Sequence, residues 1–478
     1  MGLSFALELD SPPDLPYDEA RADALITVTA KSAAGSVPRV PSAEILVMDR
    51  SLSMSGRKLD EAKHALCAAV DTLRDGTLLA IVAGNHRAEV IFPSTGGLAP
   101  VDARTREEAK LRVIGQLPEG GTAIGRWLDR ARALFASVDT PGTVCHAVLY
   151  TDGKDEHETP EQLGDVLTSC VDRFTCDARG LGDEWRYTDL LRIAEALHGT
   201  AEAVVTVSHL TEDLTRLVRD AQRIVVPRVY LALRPNSRFR LAFVRQIRPA
   251  EAELSARQQL DGWTHVPLGS WAPDTRQYQV SLRFDPGTLP VDEVLRAARV
   301  TLHAEFPDGT RRPCSETAAM TVRRRSTPGF GIARSADLTR VENERELGMA
   351  MRACADARLR GDLDGADREL RLAVGLAESL RDTTRLRLLR AVADDGPDGR
   401  LRLRRDVTRG QMLGIGVDST KTVSRRADPH DPPLPDPGPP RACPLCGTAS
   451  ASSEAAFCEA CGHRLDDASP AGGPVDAL

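Results

Sequence analysis

The sequence predicts an α/β protein: a doubly wound, mostly parallel sheet inserted in a β-sandwich, followed by a small helical hairpin and a compact cysteine module. Three observations carry this expectation. Short apolar runs alternate with helical periodicity between residues 42 and 222, apolar and polar residues alternate on either side, and two Cys-x-x-Cys-Gly sequences stand near the C-terminus. At 478 residues the chain exceeds one hydrophobic core, so several domains are expected.

The α/β segment begins with Glu44-Ile45-Leu46-Val47-Met48-Asp49, an apolar run of the kind that parallel sheets bury on both faces. Leu59, Ala62, Leu66, Val70 and Leu73 then recur at helical spacing. Further strands are read at 78–84, 88–92, 146–151, 174–180 and 203–207, and helices at 105–117, 124–135, 160–173, 189–198 and 210–222. The turn at Gly84-Asn85 reads as a hairpin, which makes one edge strand antiparallel.

The flanks read as β. Residues 3–10 and 23–30 alternate before the α/β segment, and 225–233, 239–246, 277–284 and 299–306 follow it, separated by turn residues. Residues 1–41 are therefore expected to complete the sandwich of 223–330, with 42–222 inserted between. The stripe Ala355, Leu359, Leu363, Ala366, Leu370, Ala373 and Leu376, broken at Gly361-Asp362, predicts a helical hairpin within 336–396. A single helix pair cannot bury its own face and should dock on the sandwich or on another chain. Residues 397–441 read as a polar, Pro-rich linker, 442–465 as the cysteine module and 466–478 as a frayed tail.

Composition narrows the function. A net charge of -7 and 4% aromatic residues give neither the basic footprint nor the stacking surface of a nucleic-acid binder. No stretch reaches the ~18 apolar residues of a membrane span. The N-terminus lacks the basic region of a secretory signal. Cys67, Cys145, Cys170, Cys176, Cys314 and Cys354 are scattered through apolar segments without framework spacing. Reduced core thiols, and a cytoplasmic protein, are the expectation.

The first strand ends in Asp49-Arg50-Ser51-Leu52-Ser53, with a carboxylate and two hydroxyls at the edge where open α/β sheets place ligands. Gly120-Gly121-Thr122 adds a third hydroxyl, and the strand ending at Thr151-Asp152-Gly153 adds a second carboxylate. Such hard oxygen donors suit Mg²⁺, Mn²⁺ or Ca²⁺. Each piece alone is an ordinary cap or turn; their order and placement give them meaning. The set Asp49-x-Ser51-x-Ser53, Thr122, Asp152 resembles the metal-ion-dependent adhesion site of von Willebrand factor A domains, over residues 42–222. The resemblance implies a Rossmann-like fold and one divalent ion, with Mg²⁺ the first candidate. Ser51, Ser53 and Thr122 would ligate it directly, Asp49 and Asp152 directly or through water. It also implies an open coordination position filled by an Asp or Glu of a protein partner. Arg50 reads as a solvated side chain, and Trp127 and Trp185 as core.

Cys443, Cys446, Cys458 and Cys461 form two knuckles separated by eleven residues, the spacing of a closed, structural Zn²⁺ site. This module resembles the short zinc ribbons of bacterial proteins. His463 reads as a surface residue. Thr420 in Asp418-Ser419-Thr420-Lys421-Thr422-Val423 has an apolar residue three positions on. That spacing admits a Ser/Thr kinase or forkhead-associated partner at Thr420 or Thr422, beside the plainer reading of a polar linker.

The preferred function is a non-enzymatic, Mg²⁺-dependent interaction scaffold. The alternative is a Mg²⁺-dependent hydrolase or phosphatase using the same ion, for which only His157 or Glu156 could serve as base. His146, placed with His157 on either side of Asp152, is read as part of a charged loop. No phosphate-binding Gly-x-x-x-x-Gly-Lys or Gly-x-Ser-x-Gly sequence is present.

Overall fold

A computed structural model describes residues 2–422, apart from 17–18, 33–39, 139–140, 155, 205–208, 307, 327–334 and 397–399. The predicted zinc ligands Cys443, Cys446, Cys458 and Cys461 lie outside the described residues.

Two β-strands come first, β1 (Leu3–Asp10) and β2 (Arg21–Ser32). The α/β unit then contributes β3 (Ser42–Asp49), β4 (Leu78–Gly84), β5 (Ala88–Phe92), β6 (Val144–Thr151), β7 (Thr175–Leu181) and β8 (Ala201–Val204). Its sheet runs β8-β7-β6-β3-β4-β5, with only β5 and the short Ala99–Pro100 strand antiparallel. Strand β3 is the first of this sheet in the chain, yet it lies between β4 and β6. The winding therefore reverses beside it, and the C-terminal ends of β3 and β6 open the crevice in which α/β sheets place ligands.

Six helices cover the sheet: α1 (Arg57–Thr72), α2 (Ala103–Ile114), α3 (Ile124–Phe135), α4 (Pro160–Cys170), α5 (Tyr187–Ala196) and α6 (Leu210–Ala221). The pleat divides β3 between two cores. Ala43, Ile45 and Val47 pack with α3, α4 and α5, while Leu46 and Met48 pack with α1, α2 and α6. Trp127 and Trp185 are fully buried, each against a strand-end glycine (Gly84 and Gly180) that a Cβ would drive into the indole.

Strands β9 (Val229–Pro235), β10 (Phe239–Arg248), β11 (Trp263–Pro267), β12 (Asp274–Phe284), β13 (Val294–Glu305) and β14 (Ala318–Arg324) follow. One sheet has the order β1-β2-β12-β10, so strands from before and after the α/β unit pair directly. The other has β11-β9-β13-β14, closed at its edge by Asp14–Leu15. The inner faces of both sheets share one apolar core, from Ile26 and Val28 to Leu231, Trp271, Val280 and Leu302.

The C-terminal helical region differs from the expected hairpin. It holds α7 (Ala336–Leu359), α8 (Leu363–Ser379), α9 (Thr383–Ala391), a short strand pair (Ala393–Asp395 with Leu401–Leu403) and α10 (Arg409–Asp418). Helix α10 lies in the stretch read as linker. Its glycines disguise it, because Gly410, Gly414 and Gly416 lower helix propensity. The fold uses one of them for close packing: Gly416 lies where a Cβ would fall 2.8 Å from the Tyr187 ring. A capping box between Thr408 and Gln411 starts the helix. The start of α7 packs Leu338 and Val341 on Leu25 and Ile247, and Glu344 receives Arg248 at 3.0 Å. Thr420 and Thr422 are also pinned: their hydroxyls donate to Val417 O (3.2 Å) and Ile247 O (2.6 Å).

His146 corrects a second expectation. It lies on β6 near the sheet end opposite Asp49, buried between Glu44 and Asp177. The strand register decides this, since His146 stands beside Glu44 while Asp152 lies past the other end. Nδ1 is 2.8 Å from Glu44 Oε1 and Nε2 is 2.9 Å from Asp177 Oδ2. Burial alone would favour neutral imidazole, but the two carboxylates outweigh it and lift the pKa to about 10. The ring is an imidazolium donating at both nitrogens.

Replacing His146 by Ala leaves two buried carboxylates facing each other, and should cost about 3–5 kcal/mol in urea unfolding at neutral pH. The folded pKa is raised, so the stabilisation is full below the ordinary 6.5 and is lost as pH rises toward about 10. The unfolding midpoint of the native chain should fall across that window. A His146→Ala variant that keeps the same pH slope there would overturn the assignment.

Candidate functional site

Asp49 ends β3 at the switch point and has no solvent exposure. Its Oδ1 accepts from the Ser51 N–H at 2.8 Å and its Oδ2 from the Thr151 hydroxyl at 2.6 Å. The first bond curls the chain after β3 so that Ser51 turns back over the strand end; Ser51 Oγ then lies 2.9 Å from Ser53 Oγ. Ser53 donates to Asp152 Oδ1 at 2.6 Å. Four of the five predicted side chains thus form one continuous hydrogen-bonded chain.

The fifth, Thr122, is delivered by the loop before α3. Leu52 N–H donates to Gly120 O (2.9 Å) and Glu119 N–H to Arg50 O (2.8 Å), which laces this loop to the Asp49–Ser53 turn. Gly120 holds φ at +69°, a left-handed conformation that side chains rarely adopt. Thr122 Oγ1 faces Gly153, where a Cβ would lie 2.8 Å from it and 3.5 Å from Ser53 Oγ. Ser51, Thr122 and Asp152 are buried and Ser53 is partly exposed. The five oxygen-bearing side chains therefore meet at one place.

Three contributors, Lys58, Thr151 and Glu158, escaped the sequence reading, whereas Gly56 before the helix is where that reading wants a tight turn or close packing. Lys58, on the first turn of α1, sets its ammonium 2.5 Å from Asp152 Oδ2. Gly56, with φ +77°, allows the turn into that helix. Thr151 was visible only as a strand end, yet it holds Asp49. Glu158 accepts from Gly125 N–H at 2.6 Å, supplying the N-terminal cap that Ala123 cannot give α3. The roles of Lys58, Thr151 and Glu158 depend on loop geometry, which local sequence does not show.

Arg50 is not solvated as expected: it bonds Glu89 Oε2 at 2.8 Å and Gln116 Oε1 at 3.2 Å. His157 stacks on His86, with ring centroids 5.9 Å apart, and the two rings cover Gly121 and Gly120. Leu52, at 61% exposure, stands on the rim.

Electrostatically the site is poor in cations. Burial pushes the Asp49 pKa up to about 6, against the hydrogen bonds from Ser51 and Thr151, and the neighbouring Asp152 adds to the rise. Two buried carboxylates share one ammonium. Among the described residues no group of three His, Cys, Asp or Glu side chains could hold a metal ion. The donors here are two carboxylates and three hydroxyls, a set suited to a hard divalent cation and not to a soft one.

The sequence model of the von Willebrand factor type A domain matches residues 44–203. A von Willebrand factor type A protein from Catenulispora acidiphila is 30% identical and superimposes with a TM-score of 0.81, over 88% of this chain and 97% of that one. The ArnB paralog VWA2 from Sulfolobus acidocaldarius shares the fold at 13% identity and a TM-score of 0.52, over 87% of this chain and 98% of that one. An uncharacterized Synechocystis protein, sll0103, is 26% identical over 269 residues, 55% of this chain and 61% of its own length, so the chain spans about three fifths of that relative. Likeness to the Catenulispora protein along nearly its whole length, together with the domain match around Asp49 and Asp152, makes this chain a member of the von Willebrand factor type A family.

Proposed function

We propose that the chain is a protein-interaction scaffold whose site at Asp49, Ser51, Ser53, Thr122 and Asp152 holds one divalent cation, Mg²⁺ first among Mg²⁺, Mn²⁺ and Ca²⁺. The observation that carries this is the convergence of five hard oxygen donors, from three loops, around two buried carboxylates that have one ammonium between them. When bound, the ion supplies a Lewis-acidic position that a partner's Asp or Glu carboxylate completes. The protein's own part is orientation. Thr151 and the Ser51 N–H fix Asp49, Ser53 fixes Asp152, and Gly153 leaves room beside Thr122. The exposed Leu52 and the His86–His157 pair form the rim that a partner would touch.

The hydrolase alternative gains nothing from this arrangement. His157 stacks on His86, and Glu156 is tied to the Thr122 loop through its backbone N–H, 3.3 Å from Thr122 O. At Thr420 and Thr422 both hydroxyls are engaged, so a kinase would act there only after this segment unlatches from β10. A reducing, cytoplasmic setting is supported by the six free thiols among the described residues. We also infer a structural Zn²⁺ held by Cys443, Cys446, Cys458 and Cys461, on their spacing.

Asp49→Ala and Thr122→Ala should each abolish capture of the partner from lysate while leaving the circular dichroism spectrum unchanged, and EDTA should act like either variant. Capture that survives all three sinks the scaffold reading. Gly153→Ala places a methyl group against Thr122 Oγ1 and should weaken Mg²⁺ binding about tenfold or more in titration calorimetry. Unchanged affinity would mean that Thr122 takes no part. Metal analysis of the purified chain should find one zinc per molecule, lost on replacing Cys443 and Cys446 by Ser; a zinc-free chain removes the ribbon.

A further inference from the structure

On the two-sheet unit, away from Asp49, three arginines gather on one face. Arg234 near the end of β9 stands directly opposite Arg299 of β13 in the antiparallel register. Their neighbours Leu233 and Val300 enter the core, so both guanidinium groups lie on the outer face. A register shift in β13 between Arg296 and Ala298 adds Arg296 to the same concavity, of about 380 Å³. Asn236 and Ser237, at the turn into β10, complete its polar lining. Below Arg234 lies Gly262, with φ +76°, where even a Cβ would stay 3.8 Å from the guanidinium.

Like charges directly opposite each other across strands are destabilising. Nearby arginines of the two-sheet unit avoid this: Arg228 bonds Glu305 at 3.1 Å, and Arg323 bonds Asp14 at 2.6 Å. Among the described residues, Arg234, Arg296 and Arg299 have no carboxylate within ion-pair distance. All three residues line one hollow, and each guanidinium is a planar fork able to give two parallel N–H bonds. A carboxylate has two oxygens and is satisfied by one fork, whereas a phosphate group offers three or more oxygens and up to two charges. No aromatic side chain lines the hollow, so stacking of a base is not part of its chemistry.

We propose that Arg234, Arg296 and Arg299 form a binding site for a phosphate group, independent of the metal site. The test is phosphorus NMR and calorimetric titration of the full chain with inorganic phosphate at low salt, with EDTA present so that no divalent ion bridges phosphate to Asp49 or Asp152. Saturable binding of one phosphate is expected, weakened at least tenfold in Arg234→Gln and in Arg299→Gln. Arg223→Gln, an exposed arginine of the α/β unit, should bind as the native chain does. Without phosphate neither Arg234→Gln nor Arg299→Gln should melt below the native chain, because each removes a repulsion; phosphate should raise the melting temperature of the native chain and of Arg223→Gln more than that of either. A parallel titration with O-phospho-L-threonine separates the sources. Binding as tight as that of inorganic phosphate assigns a phosphomonoester on a larger ligand, and weaker binding assigns the free anion. Absence of saturable binding by either probe, equal binding by Arg299→Gln, or displacement by an equal concentration of acetate would overturn the proposal.

Discussion

A carboxylate with no access to water constrains this molecule most. Asp49 sits where β3 ends, in a sheet whose winding reverses beside it, and burial works against its charge. Each surrounding loop answers that constraint. The turn after β3 offers the Ser51 N–H, the end of β6 offers the Thr151 hydroxyl, and the Gly120 loop is laced to the first turn through backbone bonds. The site is thus assembled around a buried anion whose bonds hold the turn at Ser51 and the strand end at Thr151, while Ser53 joins that turn to Asp152.

The two ends of the sheet handle buried charge in opposite ways. Near the far end, Glu44 and Asp177 close on His146 from both sides, and Asp177 also accepts from Thr200 at 2.6 Å. That cluster is complete within the protein and belongs to stability. At the Asp49 end, among the described residues, the two carboxylates have only Lys58, whose side chain is itself 30% exposed. The first cluster is closed, whereas the second keeps charge near solvent, the arrangement that the proposed cation site requires.

The rest of the chain braces this unit. Helix α10 rests on α5 through Gly416 and Tyr187, and Tyr187 reaches Asp356 on α7 at 2.6 Å. Helix α7 in turn docks on β2 and β10. One series of contacts therefore runs from the α/β unit through the helices to the two-sheet unit.

The sequence by itself determined the α/β unit, because parallel strands buried on both faces and amphipathic helices write strong, local patterns. It also determined which oxygen-bearing residues stand at the strand ends and in the loop before α3, down to Asp49, Ser51, Ser53, Thr122 and Asp152. Less was legible where the signal was diluted: β11 is five residues long, and α10 carries three glycines that only packing against Tyr187 and its neighbours repays. Tertiary structure alone decided that Lys58 meets Asp152, that His146 belongs to the opposite end, that Arg50 is held by Glu89, and that Arg234 faces Arg299. Each joins residues tens of positions apart, and strand register and loop closure, not local propensity, fix which long-range pairs meet.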